Sequence, residues 1–172
     1  MRKVVSTNAI LVYGCPVSAQ WLLFLHLVGA LLFAGGGLVA AALLVAAMRR
    51  SAPGEIALLL RAVRPAVPVV AGGLVLTVGT GFWLADRLGY DLGATWLTLT
   101  FALVAWMVVV GAVAGRGDRH TRELAERLAG EGDRPSDELG RRLRDPVNLA
   151  LNGSLLVAAV AVIALMVWKP GV

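Results

Sequence analysis

The chain predicts an all-α integral membrane fold, a bundle of four transmembrane helices. Three observations carry that expectation: four long apolar runs, charge confined to their ends and to one loop, and tryptophan placed near the run boundaries. Of 172 residues, 58% are hydrophobic and the mean hydropathy is +0.78, whereas a soluble domain keeps its apolar share nearer ~45–50%. A crossing needs ~20 apolar residues. Four crossings and their connections therefore take up nearly all of residues 1–172 as a single membrane domain.

The first span is expected over residues 21–47, opening at Trp21 and closed by Met48-Arg49-Arg50. Upstream, residues 1–20 hold Arg2, Lys3 and only a weak apolar stretch, which suits an exposed tail or a short interfacial segment rather than a cleaved leader. Tyr13 and the polar residues before it also argue against lipoprotein cleavage at Cys15. As the sole cysteine, Cys15 allows neither an internal disulfide nor a cysteine cluster. The second span covers 65–85, after a short amphipathic stretch, 55–63, suited to the membrane interface. The third covers 94–114. The fourth covers 147–167, behind Asp145-Pro146, an acidic residue and a proline suited to a helix start.

Residues 115–145 form the one long polar loop, with eight arginines against eight acids. Leu124 and Leu128 repeat at helical spacing, as do Leu139 and Leu143, while 130–135 breaks the pattern. Two short helices joined by a turn are expected, as a solvated hairpin.

Orientation follows from lysine and arginine alone. An even number of spans puts Arg2, Lys3, Arg87 and Lys169 on one side, and Arg49, Arg50, Arg61, Arg64 and the eight loop arginines on the other. The richer side is expected to be cytoplasmic, with both termini outside. Trp21, Trp83, Trp96 and Trp168 then all fall on the outer surface, where indole prefers the headgroup level. The net charge of +5 and pI near 10.3 reflect this topogenic charge and contact with anionic lipid. They do not point to nucleic acid.

Helices in lipid must associate by close packing or hydrogen bonds, because lipid tails are as apolar as leucine. Gly35, Gly36 and Gly37, then Gly73, Thr77 and Gly81, then Gly111 and Gly115 are the candidate contact points, and Asn148 with Asn152 should turn inward. No Asp, Glu, Lys or Arg lies well inside a span, which argues against proton-coupled transport.

His26 is the exception, five residues past Trp21 and so ~7–8 Å below the outer interface. An imidazole at that depth serves as a hydrogen-bonding core residue, a proton relay, or a ligand to haem or another metal centre. His120 lies in the polar loop and reads as a surface residue.

The run from Trp21 through His26 to Gly36 resembles the first helix of a bacterial membrane superfamily, and Trp168-Lys169-Pro170 resembles its Lys-Pro ending. That superfamily includes a haem-carrying protoporphyrinogen oxidase and the membrane domain of D-type copper-resistance proteins. The nearest resemblance is to a subfamily of predicted four-helix integral membrane proteins of unassigned function. The resemblance implies a bacterial plasma-membrane protein with His26 as an axial ligand to haem b and Lys169 holding a carboxylate or propionate. After Trp96 the oxidases carry a lysine, where this chain reads Leu97-Thr98-Leu99-Thr100, which speaks against oxidase activity. The depth of Met166 matches that of His26, making it the expected sixth ligand, since His/Met is a known haem ligation. Met107 is too deep for that role.

Together these readings give a multi-pass membrane protein with a haem or porphyrin site in its outer half. The alternatives are a membrane oxidoreductase acting on porphyrin or quinone, and a structural or assembly subunit whose arginine-rich loop docks a cytoplasmic partner. The expected partners are the lipid bilayer and either a second copy of the chain or that cytoplasmic protein.

Overall fold

A computed structural model describes residues 16–91 and 93–169. The N-terminal tail with Cys15 and the Pro170-Gly171 ending lie outside them. The described residues form six helices joined by turns and short loops: α1 (Pro16–Met48), α2 (Pro53–Ala62), α3 (Ala66–Arg87), α4 (Thr95–Gly130), α5 (Asp137–Leu143) and α6 (Pro146–Trp168). Four segments are long and apolar enough to cross a membrane. Their large apolar side chains face outward, as at Leu31 and Val75, the inverse of a soluble bundle.

α1 and α3 pack antiparallel, and glycine sets how close they come. A Cβ on Gly73 would stand 2.6 Å from the Phe33 nitrogen and 2.8 Å from the Gly29 oxygen, both backbone atoms. A Cβ on Gly29 would meet Thr77 Oγ1 at 2.6 Å, and one on Gly36 would meet Val70 Cγ2 at 2.7 Å. Gly35, Gly37, Gly111 and Gly115, named with them above, face open space. The short contacts fall on one stripe of α1 and one of α3, so spacing along the helix separates the glycines that matter from those that do not.

α6 packs on α4, while α1 keeps its closest approach to α3. Two clusters tie these pairs together, one at each end. At the arginine-rich end, Ala47 of α1, Ile56 and Leu60 of α2, Leu124 and Ala125 of α4, and Leu139 and Leu143 of α5 form one core. At the tryptophan end, Ala85 of α3 packs with Trp96 and Leu97 of α4, and Phe82 meets Phe101 at 6.2 Å between ring centroids.

The polar loop differs from the solvated hairpin expected. Its first half continues α4 without a break, to a length of 36 residues. Arg119–Glu123 and Arg122–Glu126 ion pairs at i,i+4 support the extension. Its second half is the short α5, and the leucines of both halves are core residues. The amphipathic stretch, now α2, likewise buries Ile56 and Leu60 against protein. Pro65 ends α2 because it has no N–H to continue the helix.

The start of α6 matches its sequence signal. Pro146 sits in the first turn and Asp145 Oδ1 accepts the Val147 N–H at 3.3 Å. Asn148 turns inward and donates from Nδ2 to Asp118 Oδ1 at 2.8 Å, whereas Asn152 donates to the Asn148 carbonyl of its own helix.

Candidate functional site

His26 sits on the α1 face that packs against α3 and is 9% exposed. Its Nδ1 lies 2.9 Å from the Thr77 carbonyl oxygen. A carbonyl only accepts, so Nδ1 carries the proton and donates, which leaves the lone pair on Nε2. The ring lies against Gly81, where a Cβ would stand 2.8 Å from Cε1 and 3.0 Å from Nδ1. Glycine at 81 is therefore the space in which the imidazole rests.

Nε2 has no hydrogen-bond partner among the described residues. It is not one of the fully enclosed side-chain atoms that lack a hydrogen bond, which among the described residues are Trp96 Nε1 and Glu126 Oε1. The lone pair thus keeps an open edge. A histidine held through Nδ1 by a carbonyl, with Nε2 free, has the orientation and tautomer that metal and haem ligation use.

Thr77, Gly81 and Ala85 follow one another at four-residue steps along α3, so the stripe that holds His26 leads, one turn and ~6 Å further along, into the cluster at the tryptophan end. There Lys169 Nζ donates to the Tyr90 hydroxyl at 2.7 Å. It also stands 4.7 Å from the Tyr90 ring centre and 5.9 Å from that of Trp96. Tyr90 and Trp96 meet edge to face at 5.5 Å. Lys169 adopts a left-handed conformation, φ 40°, where α6 ends, and its N–H caps the Leu165 carbonyl.

Trp96 differs from the other three tryptophans of this end. Trp21, Trp83 and Trp168 are more than half exposed, as membrane-surface indoles should be, whereas Trp96 is 5% exposed. Its Nε1–H is enclosed and unpartnered. An orphan donor of this kind costs stability unless a ligand or water accepts from it. Beside a lysine ammonium, it gives the cluster at the tryptophan end two donors suited to a carboxylate.

The structure thus joins His26 to Thr77 and Gly81, and Lys169 to Tyr90 and Trp96. Met166 is half-buried on α6, and no polar contact or shared core cluster links it to His26 among the described residues. His120 is exposed in the polar extension, 3.8 Å from Glu123. There the hydrogen bond from Arg119 holds the Glu123 carboxyl below its usual range. No group of three or more metal-ligating side chains occurs among the described residues.

Sequence reasoning missed Tyr90 and the burial of Trp96. Tyr90 follows α3 in a loop with no periodicity to place it, and Trp96 was indistinguishable by position from a lipid-facing indole. Gly81 was visible as a small residue but not as the floor beneath an imidazole.

No curated protein and no solved structure matches this chain. A family model described as "Predicted integral membrane protein (DUF2269)" matches residues 20–170, which span all four apolar helices and both candidate clusters. The chain is a member of that family of predicted integral membrane proteins.

Proposed function

We propose that this membrane protein binds a haem b or a related porphyrin in its outer half, with His26 as an axial ligand. The supporting observation is the Nδ1 bond to the Thr77 carbonyl, which fixes the ring and leaves Nε2 as an available donor. The orphaned Trp96 Nε1–H and the Lys169 ammonium fit a porphyrin propionate one turn further out. Met166 remains the proposed sixth ligand. When bound, the haem would supply one-electron redox chemistry, tuned by its axial ligands. The protein's own part is to orient the imidazole, exclude water behind α1 and α3, and hold the propionate charge at the outer surface.

The test is spectroscopic. Protein purified in detergent should show a Soret band, and His26→Ala should abolish it. Met166→Leu should keep haem while shifting the spectrum toward a five-coordinate species. Trp96→Phe and Lys169→Gln should each lower haem retention without removing the axial bond. Unchanged haem content in His26→Ala, or colourless protein from haem-replete cells, would refute the reading and leave the imidazole as a tie between α1 and α3.

A further inference from the structure

At the other end of the molecule, a cleft of about 1130 Å³ opens between the end of α1, the start of α6, the middle of α4 and the segment around α5. We propose that this cleft binds the anionic phosphoryl headgroup of a bilayer lipid, with the lipid's chains lying against α4 and α6. The inference is independent of the porphyrin site.

Depth is the first argument. α1 leaves its apolar run at Met48 and α6 enters its own at Pro146, and both residues line the cleft. The cleft therefore straddles the plane where headgroups lie. Val113 and Leu151, one from each of α4 and α6, extend its wall into the apolar spans. A soluble anion needs no such wall. The volume also exceeds the ~300–1,000 Å³ usual for sites that take drug-sized molecules, which suits a headgroup with the first part of its chains.

Charge is the second. Arg50, Arg141, Arg142 and Arg144 line the cleft against the two carboxylates of Asp137 and Asp145, leaving a basic surplus. Asp145 is engaged by the Val147 N–H. Arg50 pairs with Glu55, and Arg142 with Glu138, each at 3.5 Å. Arg141 and Arg144 have no carboxylate within ion-pair distance among the described residues. Arg144 Nη2 reaches across to the Met48 carbonyl at 3.3 Å, which places its guanidinium over the end of α1 and leaves further N–H groups to donate. A planar guanidinium binds phosphate through two parallel bonds.

The experiment uses the full chain in nanodiscs of phosphatidylcholine with graded phosphatidylglycerol, and counts retained lipid by native mass spectrometry. Wild-type protein should retain phosphatidylglycerol in preference. The pair Arg141→Ala/Arg144→Ala should weaken retention roughly twenty-five-fold, since each arginine beside an anionic surface contributes about a fivefold factor. Arg141→Ala alone, which breaks no ion pair seen among the described residues, should show about fivefold. Arg116→Ala/Arg134→Ala removes the same charge from two positions that do not line the cleft and should leave retention unchanged. Equal losses in both double variants would overturn the proposal, as would unaltered retention in Arg141→Ala. Inorganic phosphate displacing the lipid in the wild type would also overturn it, by identifying a soluble phosphate as the ligand.

Discussion

Gly73 and Gly81 look alike in the sequence but do different work. The first removes a side chain so that two backbones can meet, and the second removes one so that the Cε1–Nδ1 edge of an imidazole has room. Gly73→Val should push α1 and α3 apart, because the atoms it meets are backbone and cannot rotate away. The expected cost is about 1–3 kcal/mol in a denaturant or thermal unfolding series, the usual range for an overpacked contact. Gly37→Val, into open space, should fall within ~0.5 kcal/mol of wild type. At this scale the sequence made the inward direction of His26 legible, because a buried polar group in lipid needs a partner. It gave no means of choosing Thr77 as that partner, since any carbonyl on a facing helix satisfies the same rule. The limit holds equally for Asn148, whose partner Asp118 lies 30 positions away on another helix.

Among the elements, α2 depends most on its surroundings. It is 10 residues long, below the length at which an isolated helix persists, and its own N-cap residue, Ala52, makes no side-chain bond. The cap comes from elsewhere: Asp133 Oδ1 accepts the Gly54 N–H at 2.6 Å from the turn after α4. Asp133 holds φ 53° to do so, beside Gly132 at φ 116°. Asp133→Ala should cost about 1 kcal/mol, the usual worth of a cap, and should show as faster hydrogen exchange confined to the first turn of α2. Unchanged exchange there would mean that the apolar contacts of Ile56 and Leu60 suffice. The helix α2 was legible as an amphipathic stretch. Its docking was not, because an apolar stripe reads the same whether lipid or a neighbouring helix covers it. The extension of α4 was hidden for a related reason: Gly111, Gly115 and Gly117 resemble a helix end, yet the ion pairs beyond them sustain the helix.

Across the whole molecule, antiparallel packing of α1 on α3 and α6 on α4 brings Trp21, Trp83, Trp96 and Trp168, four of the five tryptophans, to one end and most of the arginines to the other. Which end faces the cytoplasm rests on the distribution of basic charge. Enzyme-reporter fusions settle it: one after Gly171 should report the exterior, and one inserted at Gly132 should report the cytoplasm. Both reporting the same side would contradict the four-span arrangement. The number of spans was legible because hydropathy needs only length and composition. The clusters that fasten the pairs at their two ends were not, because each assembles residues from distant parts of the chain.

The 36 residues of α4 make a rod of about 54 Å, longer than the ~30 Å hydrocarbon layer it crosses. One tip carries Trp96 and the other carries the leucine seam, with a wall of the arginine-lined cleft between them. Such a rod is a lever. Pivoted at Trp96, it converts a tilt of about 5° into a sweep of roughly 5 Å at the far tip. A rearrangement too small to notice on one surface of the membrane would thus be magnified on the other, with no joint along α4 to absorb it.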